Sequence, residues 1–270
     1  RVFNNLSVGA NFSYLYGDIT HQSMTTIGAT DTRSIKLDKF SISDYKLDFG
    51  LQYTYKLNKK NTINIGAVYT LGRTLHGDAY KYHQTGAESN GSIYVQSQTG
   101  DTIPNPFKMP HTFGIGLTYV YDNRLTIGVD YTLQKWNTAD LAWSKFNKES
   151  VEMNSRTKIA FGAEFVPSYI SHNYLKRIRY RMGAYCSSPY NKVSYTSPDT
   201  GTTSFQDGAR EYGVSIGFGL PMFQSKSMLN ISGQYIKVSP KFKGLMEENY
   251  LRINIGLTFN ERWFMKWKVD

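Results

Sequence analysis

The sequence predicts an all-β protein, a transmembrane antiparallel up-and-down β-barrel. Apolar side chains recur at every second position in about ten segments, which is typical of strands. The 270 residues include 21 Tyr, 15 Phe and 23 Gly. The mean hydropathy is −0.45, and the sequence has no apolar run long enough for a transmembrane helix. A membrane protein of this composition must therefore cross the bilayer with barrel strands.

The first two segments show the alternation most clearly. One face of residues 6–16 carries Leu6, Val8, Ala10, Phe12, Tyr14 and Tyr16. One face of residues 45–57 carries Tyr45, Leu47, Phe49, Leu51, Tyr53, Tyr55 and Leu57. In both segments the opposite face is mainly Ser, Gly, Asn, Gln, Thr and charged residues, so each segment is predicted to be a two-sided strand.

Eight further segments repeat this pattern and complete a set of about ten strands. They lie at 63–71, 113–121, 125–133, 159–165, 178–184, 212–220, 229–235 and 251–259. We therefore expect a transmembrane barrel over residues 1–260. Residues 261–270 are predicted to form an aromatic and basic periplasmic tail. In this tail Trp263, Phe264 and Trp267 are expected to anchor at the membrane interface.

The direction of each face follows from the cost of burying charge. The apolar faces are rich in aromatic residues, whereas the opposite faces hold Gly, polar residues and charges. Arg177, Arg179 and Arg181 alternate with apolar residues in the seventh segment. Placing such a side chain in lipid costs up to about 2–4 kcal/mol near the midplane. The polar faces are therefore predicted to line a lumen.

The connections between segments alternate in length, which predicts the orientation in the membrane. The links at 58–61, 122–124, 166–176 and 221–226 are short or of middling length, whereas those at 17–44, 73–110, 137–156 and 187–208 are long and polar. Barrels place short turns in the periplasm and long loops outside. We expect an outer-membrane protein with extracellular long loops and both chain ends in the periplasm.

The inward arginines are the sharpest candidate for a ligand site. Arg177, Arg179, Arg181 and Arg252 could attract the carboxylate of an amphipathic ligand, because guanidinium groups bind carboxylates bidentately. The alternative is a structural salt-bridge network, since four acidic residues also have inward phase. These residues are Asp48, Asp130, Glu164 and Glu211.

Other functional classes find little support in the sequence. The net charge of +10 is dispersed along the chain without a nucleic-acid-binding motif, which favours anionic lipids and lipopolysaccharide as partners. Cys186 is a single cysteine, and His76 and His83 share only a loop with Asp78. No metal-ligand spacing, phosphate-binding loop or catalytic arrangement is present. We expect no cofactor and no enzymatic activity.

Short signatures along the chain resemble the FadL-type outer-membrane transporters of long-chain fatty acids and other hydrophobic compounds. Residues 6–12 (LSVGANF) are similar to that family's strand opening, and residues 49–57 (FGLQYTYKL) to its hairpin. Met109-Pro110 resembles a strand entry, and Asp130-Tyr131 followed by Trp136 a strand exit. Arg181-x-Gly183 followed by Ser188-Pro189 resembles another strand of the family.

This resemblance implies passive uptake of hydrophobic small molecules through a barrel of fourteen strands. Family members begin with a plug-like hatch and further strands, and nothing in this sequence corresponds to them. Either these ten strands are the C-terminal portion of such a barrel, or they form a smaller barrel that closes by itself. The alternative function is a non-transporting accessory subunit of a larger outer-membrane complex, possible partners then being other outer-membrane proteins.

Overall fold

The structure is a computed structural model that describes residues 5–27, 32–89, 92–138, 152–196, 203–222, 227–240 and 246–259. Within these ranges the chain forms sixteen strands and two short 3₁₀ helices. The strands are β1 (Leu6–Ile27), β2 (Thr32–Lys56), β3 (Asn61–Thr70), β4 (Arg73–Thr74), β5 (Gly77–Ser89), β6 (Ser92–Pro104), β7 (Lys108–Met109), β8 (Thr112–Tyr121), β9 (Leu125–Gln134), β10 (Arg156–Phe165), β11 (Arg179–Ser187), β12 (Lys192–Thr196), β13 (Thr203–Asp207), β14 (Ala209–Pro221), β15 (Met228–Pro240) and β16 (Glu248–Thr258). The 3₁₀ helices are Trp136–Thr138 and Tyr174–Arg177.

Twelve of these strands form one antiparallel sheet. Its order is β16-β15-β14-β11-β10-β9-β8-β3-β2-β5-β6, and β1 pairs with β2. We call the ten-strand part of this sheet the wall. It consists of residues 6–16 of β1, residues 45–56 of β2, and the whole of β3, β8, β9, β10, β11, β14, β15 and β16. These ten passes coincide with the ten segments predicted from the period-two pattern.

Between its end strands, the wall exposes its apolar face and covers its polar face, the reverse of a soluble protein, whereas the end strand β16 is exposed on both faces. On β14 the apolar Ile216 is 62 % exposed, while its neighbour Gly217 on the polar face is buried. On β8 and β10 the side chains of Ile115 and Phe161 are likewise exposed. An apolar surface of this extent needs an apolar surrounding. The two faces therefore have the polarity that the inward arginines predict.

The two longest strands continue far beyond the wall. β1 has 22 residues and β2 has 25, whereas a strand needs only about 9–11 residues to cross a bilayer. Residues 17–27 of β1 and 32–43 of β2 form a four-stranded sheet with β5 and β6. We call this part the blade. At about 3.3 Å per residue it extends roughly 35 Å past the wall.

The blade differs from the sequence prediction. Residues 17–44 and much of 73–110 were expected to be long loops, but they are paired strands. Both faces of these segments are rich in Thr, Ser, Lys and Gln. Apolar residues alternate only over short stretches, with Ile35 and Leu37 on one face and Phe40 and Ile42 on the other, so the strands could not be recognised by period. The predicted short turns do occur, for example at Asp122 and Asn123, which both have positive φ.

Closure of the wall is not observed within the described ranges. β1 and β16 are the two ends of the wall, and no ladder joins them. The backbone amides and carbonyls along the outer sides of β1 and β16 therefore have no strand partner among the described residues. The sequence left open whether the ten strands close by themselves, and the described residues do not show such pairing.

Candidate functional site

The polar face of the wall brings most of the predicted site residues onto one surface. Direct cross-strand pairs place Gly128 opposite Gly162 and Gly162 opposite Gly183. These three glycines form a band without side chains across β9, β10 and β11. A Cβ atom added at Gly162 would meet nothing within 4 Å, so the band borders open space.

On the side of this band nearer the 166–178 connection, one carboxylate is shared by two of the predicted arginines. Arg181 lies directly opposite Glu164 in the β10–β11 ladder, and its Nε donates to Glu164 at 2.7 Å. Arg179 donates to the other oxygen of Glu164 at 3.2 Å. Arg181 also donates to the side-chain oxygen of Asn230 on β15 at 2.8 Å. One negative charge thus lies between two positive charges, and the cluster is cationic overall.

Arg177 does not belong to this strand ladder. It lies in the 3₁₀ helix Tyr174–Arg177, where its guanidinium is 5.5 Å from the ring centre of Tyr174. The side chain of Asn173 accepts a hydrogen bond from the Leu175 amide and so caps this helix. The cap delays the start of β11 to Arg179, so the prediction that Arg177 lies on the strand is wrong.

A second polar cluster lies on the opposite side of the glycine band from Glu164. Tyr185 donates to Glu211 at 2.5 Å, and Arg156 approaches the same carboxylate at 3.9 Å. The ring of Tyr185 covers the backbone of Gly213, where an added Cβ would come within 2.1 Å of the ring. Gly213 is therefore needed for the ring to lie flat against the wall.

Asp48 and Asp130 lie apart from the arginine cluster, whereas Arg252 lies near enough to Tyr185 for its charge to act on that hydroxyl. Asp48 accepts hydrogen bonds from Thr70 at 2.6 Å and from Lys46 at 2.9 Å, which ties β2 to β3. The side chain of Asp130 lies over Gly116, since an added Cβ there would be 2.3 Å from a carboxylate oxygen of Asp130. Arg252 lies opposite Gln234 on the exposed end strand β16.

A polar cleft beside the arginines opens between β11 and β16. It has a volume of about 290 Å³ and is lined on the polar face by Arg181, Ser215, Asn230, Ser232, Gln234 and Asn254. Hydroxyl, amide and guanidinium groups of this kind can bind a carboxylate. The cleft therefore offers an anion a cationic and hydrogen-bonding surface.

A cluster at the base of the blade was not predicted from the sequence. Asp44 is only 4 % exposed, and it accepts hydrogen bonds from the backbone amides of Tyr45 and His76, both at 2.7 Å. Arg73 lies 3.3 Å from the same carboxylate and also 3.8 Å above the Tyr45 ring. Only the contact between the distant segments 44–45 and 73–76 creates this site, so no local pattern could reveal it.

The environment of Asp44 determines its charge. Burial alone would raise the pKa of this carboxyl, but the amide and imidazole hydrogen bonds of His76, the Tyr45 amide and the charge of Arg73 outweigh it and lower the pKa. Asp44 is therefore ionised at neutral pH and fixes the start of the blade to the rim of the wall.

The predicted membrane-interface anchors lie outside the described residues. Trp263, Phe264 and Trp267 belong to 260–270, which the structure does not describe. Among the described residues no helix is long and apolar enough to cross a membrane. In the same ranges no three His, Cys, Asp or Glu side chains are grouped as metal ligands.

Comparison with solved structures gives distant likenesses. The chain is 13% identical to the "CymD monoaromatic hydrocarbon channel", with a TM-score of 0.48. The match covers 88% of this chain and 66% of the channel. The chain is also 10% identical to a chain of the RagAB peptide transporter, with a TM-score of 0.42. This match covers 90% of the present chain and 36% of the transporter chain. The chain thus spans less than two thirds of either protein. A comparison with curated proteins finds no match.

A family model, in contrast, matches the chain from end to end, over residues 1–270. This match agrees with the predicted outer-membrane barrel but does not confirm the resemblance to FadL-type transporters. The side of the membrane on which the loops and chain ends lie stays a prediction. Because the match covers the whole sequence, the chain belongs to the BamG family.

Proposed function

We propose that this protein is a structural, non-transporting subunit of a larger outer-membrane assembly. In this proposal the wall lies in the bilayer, and the blade projects from the extracellular side as a surface for protein contacts. The observation that carries the proposal is the blade itself, a four-stranded sheet that has no role in crossing the membrane. We assign no catalytic activity and no cofactor to the protein.

The attachment of the blade supports a role that needs a fixed geometry. β1 and β2 pass without interruption from the wall into the blade. Asp44 links the base of the blade to 73–76 through backbone and side-chain contacts. Farther into the blade, Phe40 packs on Phe107 with ring centres 5.4 Å apart, and Ala79 is fully buried. A platform held in this way can position a bound partner.

The polar face of the wall is less suited to the passage of an apolar compound. Its arginines are paired with Glu164, and Tyr185 and Arg156 engage Glu211. An apolar cleft of about 290 Å³ does exist, but its lining side chains, including Phe165, Met182 and Phe218, belong to the outer face. Apolar passages need apolar linings, so this distribution favours a structural role.

Purification from native outer membranes tests the proposal. We expect the chain, produced at its natural level and extracted in mild detergent, to elute with fixed partners in constant ratio. A variant in which short turns replace residues 18–41 and 78–104 should still insert but lose these partners. Elution of the unaltered chain alone, under several detergents, would contradict a structural role.

A second candidate function is the uptake of amphipathic small molecules such as long-chain fatty acids. The cationic cleft at Arg181 favours it, because a carboxylate could replace part of the contact with Glu164. Arg179→Glu and Arg181→Glu should then reduce uptake of a labelled fatty acid by cells, whereas Lys46→Glu, on another part of the same face, should not. Unchanged uptake in both arginine variants would remove this candidate.

A further inference from the structure

The blade has two free edges, and they differ in how they are protected. One edge is β6 and the other is residues 17–27 of β1. Unpaired strand edges bind other strands readily, so proteins usually block them with charges, prolines or bulges.

The β6 edge is blocked at three places. The ladder between β5 and β6 contains a bulge between Thr85 and Gly86, which leaves Gln96 without a partner. Pro104 has no amide hydrogen, and the amide of Thr102 already donates to the Asp101 side chain at 2.9 Å. A further strand could not form a regular ladder along this edge.

The β1 edge shows none of these features. From Leu6 to Ile27 the strand contains no Lys, Arg or Pro, and Asp18 is its one charged residue apart from His21. Its ladder with β2 runs over 22 consecutive pairs without a register shift. The edge is therefore long, regular and almost uncharged, which are the properties that favour strand addition.

The register identifies the groups that the β1 edge offers. The Thr54 amide donates to Asn5, and the Ser43 amide points to His76 on the far side of β2. In an antiparallel ladder these bonds alternate, so odd-numbered residues of β1 bond to β2 and even-numbered residues point outwards. The outward set in the blade is Asp18, Thr20, Gln22, Met24 and Thr26. Within the described residues no strand other than β2 pairs with β1, so no ladder uses this side of the strand.

Closure of the wall would leave the outward backbone groups of the blade part of β1 available for pairing. β16 has 11 residues, which is about the length of the wall part of β1. A wall that closed by pairing β16 with residues 6–16 would therefore end where the blade begins. Residues 17–27 would keep an open edge even then, outside the membrane.

A second copy of the chain does not suit this edge. Two copies in one membrane have the same orientation and are related by rotation about the membrane normal. Barrel strands are tilted by about 35–45° from the membrane normal. Such a rotation would therefore make the two β1 edges cross at roughly 80°, twice that tilt, so they could not lie side by side and form a ladder.

We infer that residues 17–27 of β1 bind an extended segment of a different protein by adding it to the blade as a further strand. The outward amides and carbonyls of Thr20, Gln22 and Met24 form the new ladder. The uncharged Thr and Gln side chains beside them suit a polar segment. This inference rests on the proposed structural function and names the edge through which the assembly forms.

Photo-crosslinking in living cells tests the inference on the full chain. A photoreactive phenylalanine analogue is placed at Thr20 or at Met24, and the crosslinked peptides are identified by mass spectrometry. We expect both positions to react with one segment of a protein other than this chain. A shift of four residues on β1 should move the partner's site by about four residues, because paired strands advance together.

Two matched proline variants test the role of the backbone. Gln22→Pro removes an outward amide of β1, and Gln98→Pro removes an outward amide of β6. Prolines at such edge positions leave the ladder within the protein intact. We expect Gln22→Pro to reduce the crosslinks about tenfold, through the lost hydrogen bond and the bulk of the ring, and Gln98→Pro to leave them unchanged.

Three results would overturn the inference. These are crosslinks to a second copy of the chain, equal losses in both proline variants, and crosslinks that show no register relation. An absence of crosslinks while the chain still elutes with fixed partners would refute the β1 edge alone. Elution of the chain without partners would refute the proposed function as well.

Discussion

The wall and the blade share two continuous strands but follow opposite rules of composition. In the wall, one face of each strand is apolar and exposed, as at Phe161 and Ile216. In the blade, both faces of β1 are polar, and stability comes from pairing and from a small set of contacts around Asp44 and Phe40. The same backbone ladder thus serves two surroundings, and side-chain polarity alone marks the boundary between them.

The difference between the two wall faces gives the largest expected effect. Phe161→Arg places a charge on the exposed apolar face and should destabilise the folded state by about 2–4 kcal/mol if the position is near the midplane. Gly162→Arg, one residue away on the polar face, has open space and should change stability little. Urea unfolding in lipid vesicles measures both. Equal effects would mean that the two faces do not differ in surroundings.

The backbone at the base of the blade gives the next effect. Gly77 has a φ of +159°, and an added Cβ would lie 2.1 Å from the Ser41 carbonyl oxygen. Gly77→Ala should therefore cost about 1–3 kcal/mol and loosen β5 from β2. Gly17→Ala is the control, since its φ is +153° but nothing lies within 4 Å. Limited proteolysis should cut the blade faster in the first variant and leave wall fragments intact in both.

The charge of Asp44 makes the attachment of the blade depend on pH. Because its pKa is lowered in the folded state, the ionised carboxylate stabilises the blade at neutral pH, and this contribution is lost as the pH falls through that lowered value. Asp44→Asn should cost about 1–3 kcal/mol near neutral pH and little in strong acid. Proteolysis rates of the blade across pH, with an acid-stable protease at the low end, measure the change. A difference that persists in strong acid would assign it to packing.

The smallest effect concerns the arginine cluster. Glu164→Gln removes the contacts with Arg179 and Arg181, but these side chains are about one third exposed, so the stability cost should be at most about 1 kcal/mol. Binding of a fatty acid, measured by fluorescence displacement, should increase if the freed arginines attract a carboxylate. Glu211→Gln is the control on the same face. Equal binding in the two variants would favour a purely structural cluster.

Sequence periodicity was sufficient for the wall because every wall strand is two-sided. Alternation placed all ten segments and the phase of Arg179, Arg181 and Glu164 on one face. It could not show that Glu164 lies opposite Arg181, because that pairing depends on the register set by the turn at 166–178. It also misplaced Arg177, since the Asn173 cap acts on the backbone without altering the period.

The blade and its base lay beyond the sequence for a different reason. Thr, Ser, Gln and Lys occur on both faces of residues 17–43, and the few apolar residues of β2 change face between Leu37 and Phe40. No sustained alternation therefore marks these strands, although their composition is compatible with pairing. Asp44, Arg73 and His76 come together only when the segments 42–47 and 71–77 meet in space. The open edge of β1 likewise became visible only once the partners of each strand were known.

Because β1 and β2 run without interruption from the wall into the blade, the orientation of the blade depends on that of the wall strands. No hinge separates the two parts of these strands, so the blade inherits whatever tilt the strands have in the bilayer. A change of about 10° in that tilt would carry the tip of a 35 Å extension through roughly 6 Å. A change in the tilt of the wall strands, which is linked to the stagger of the barrel, would in this way be converted into displacement at a site well outside the lipid.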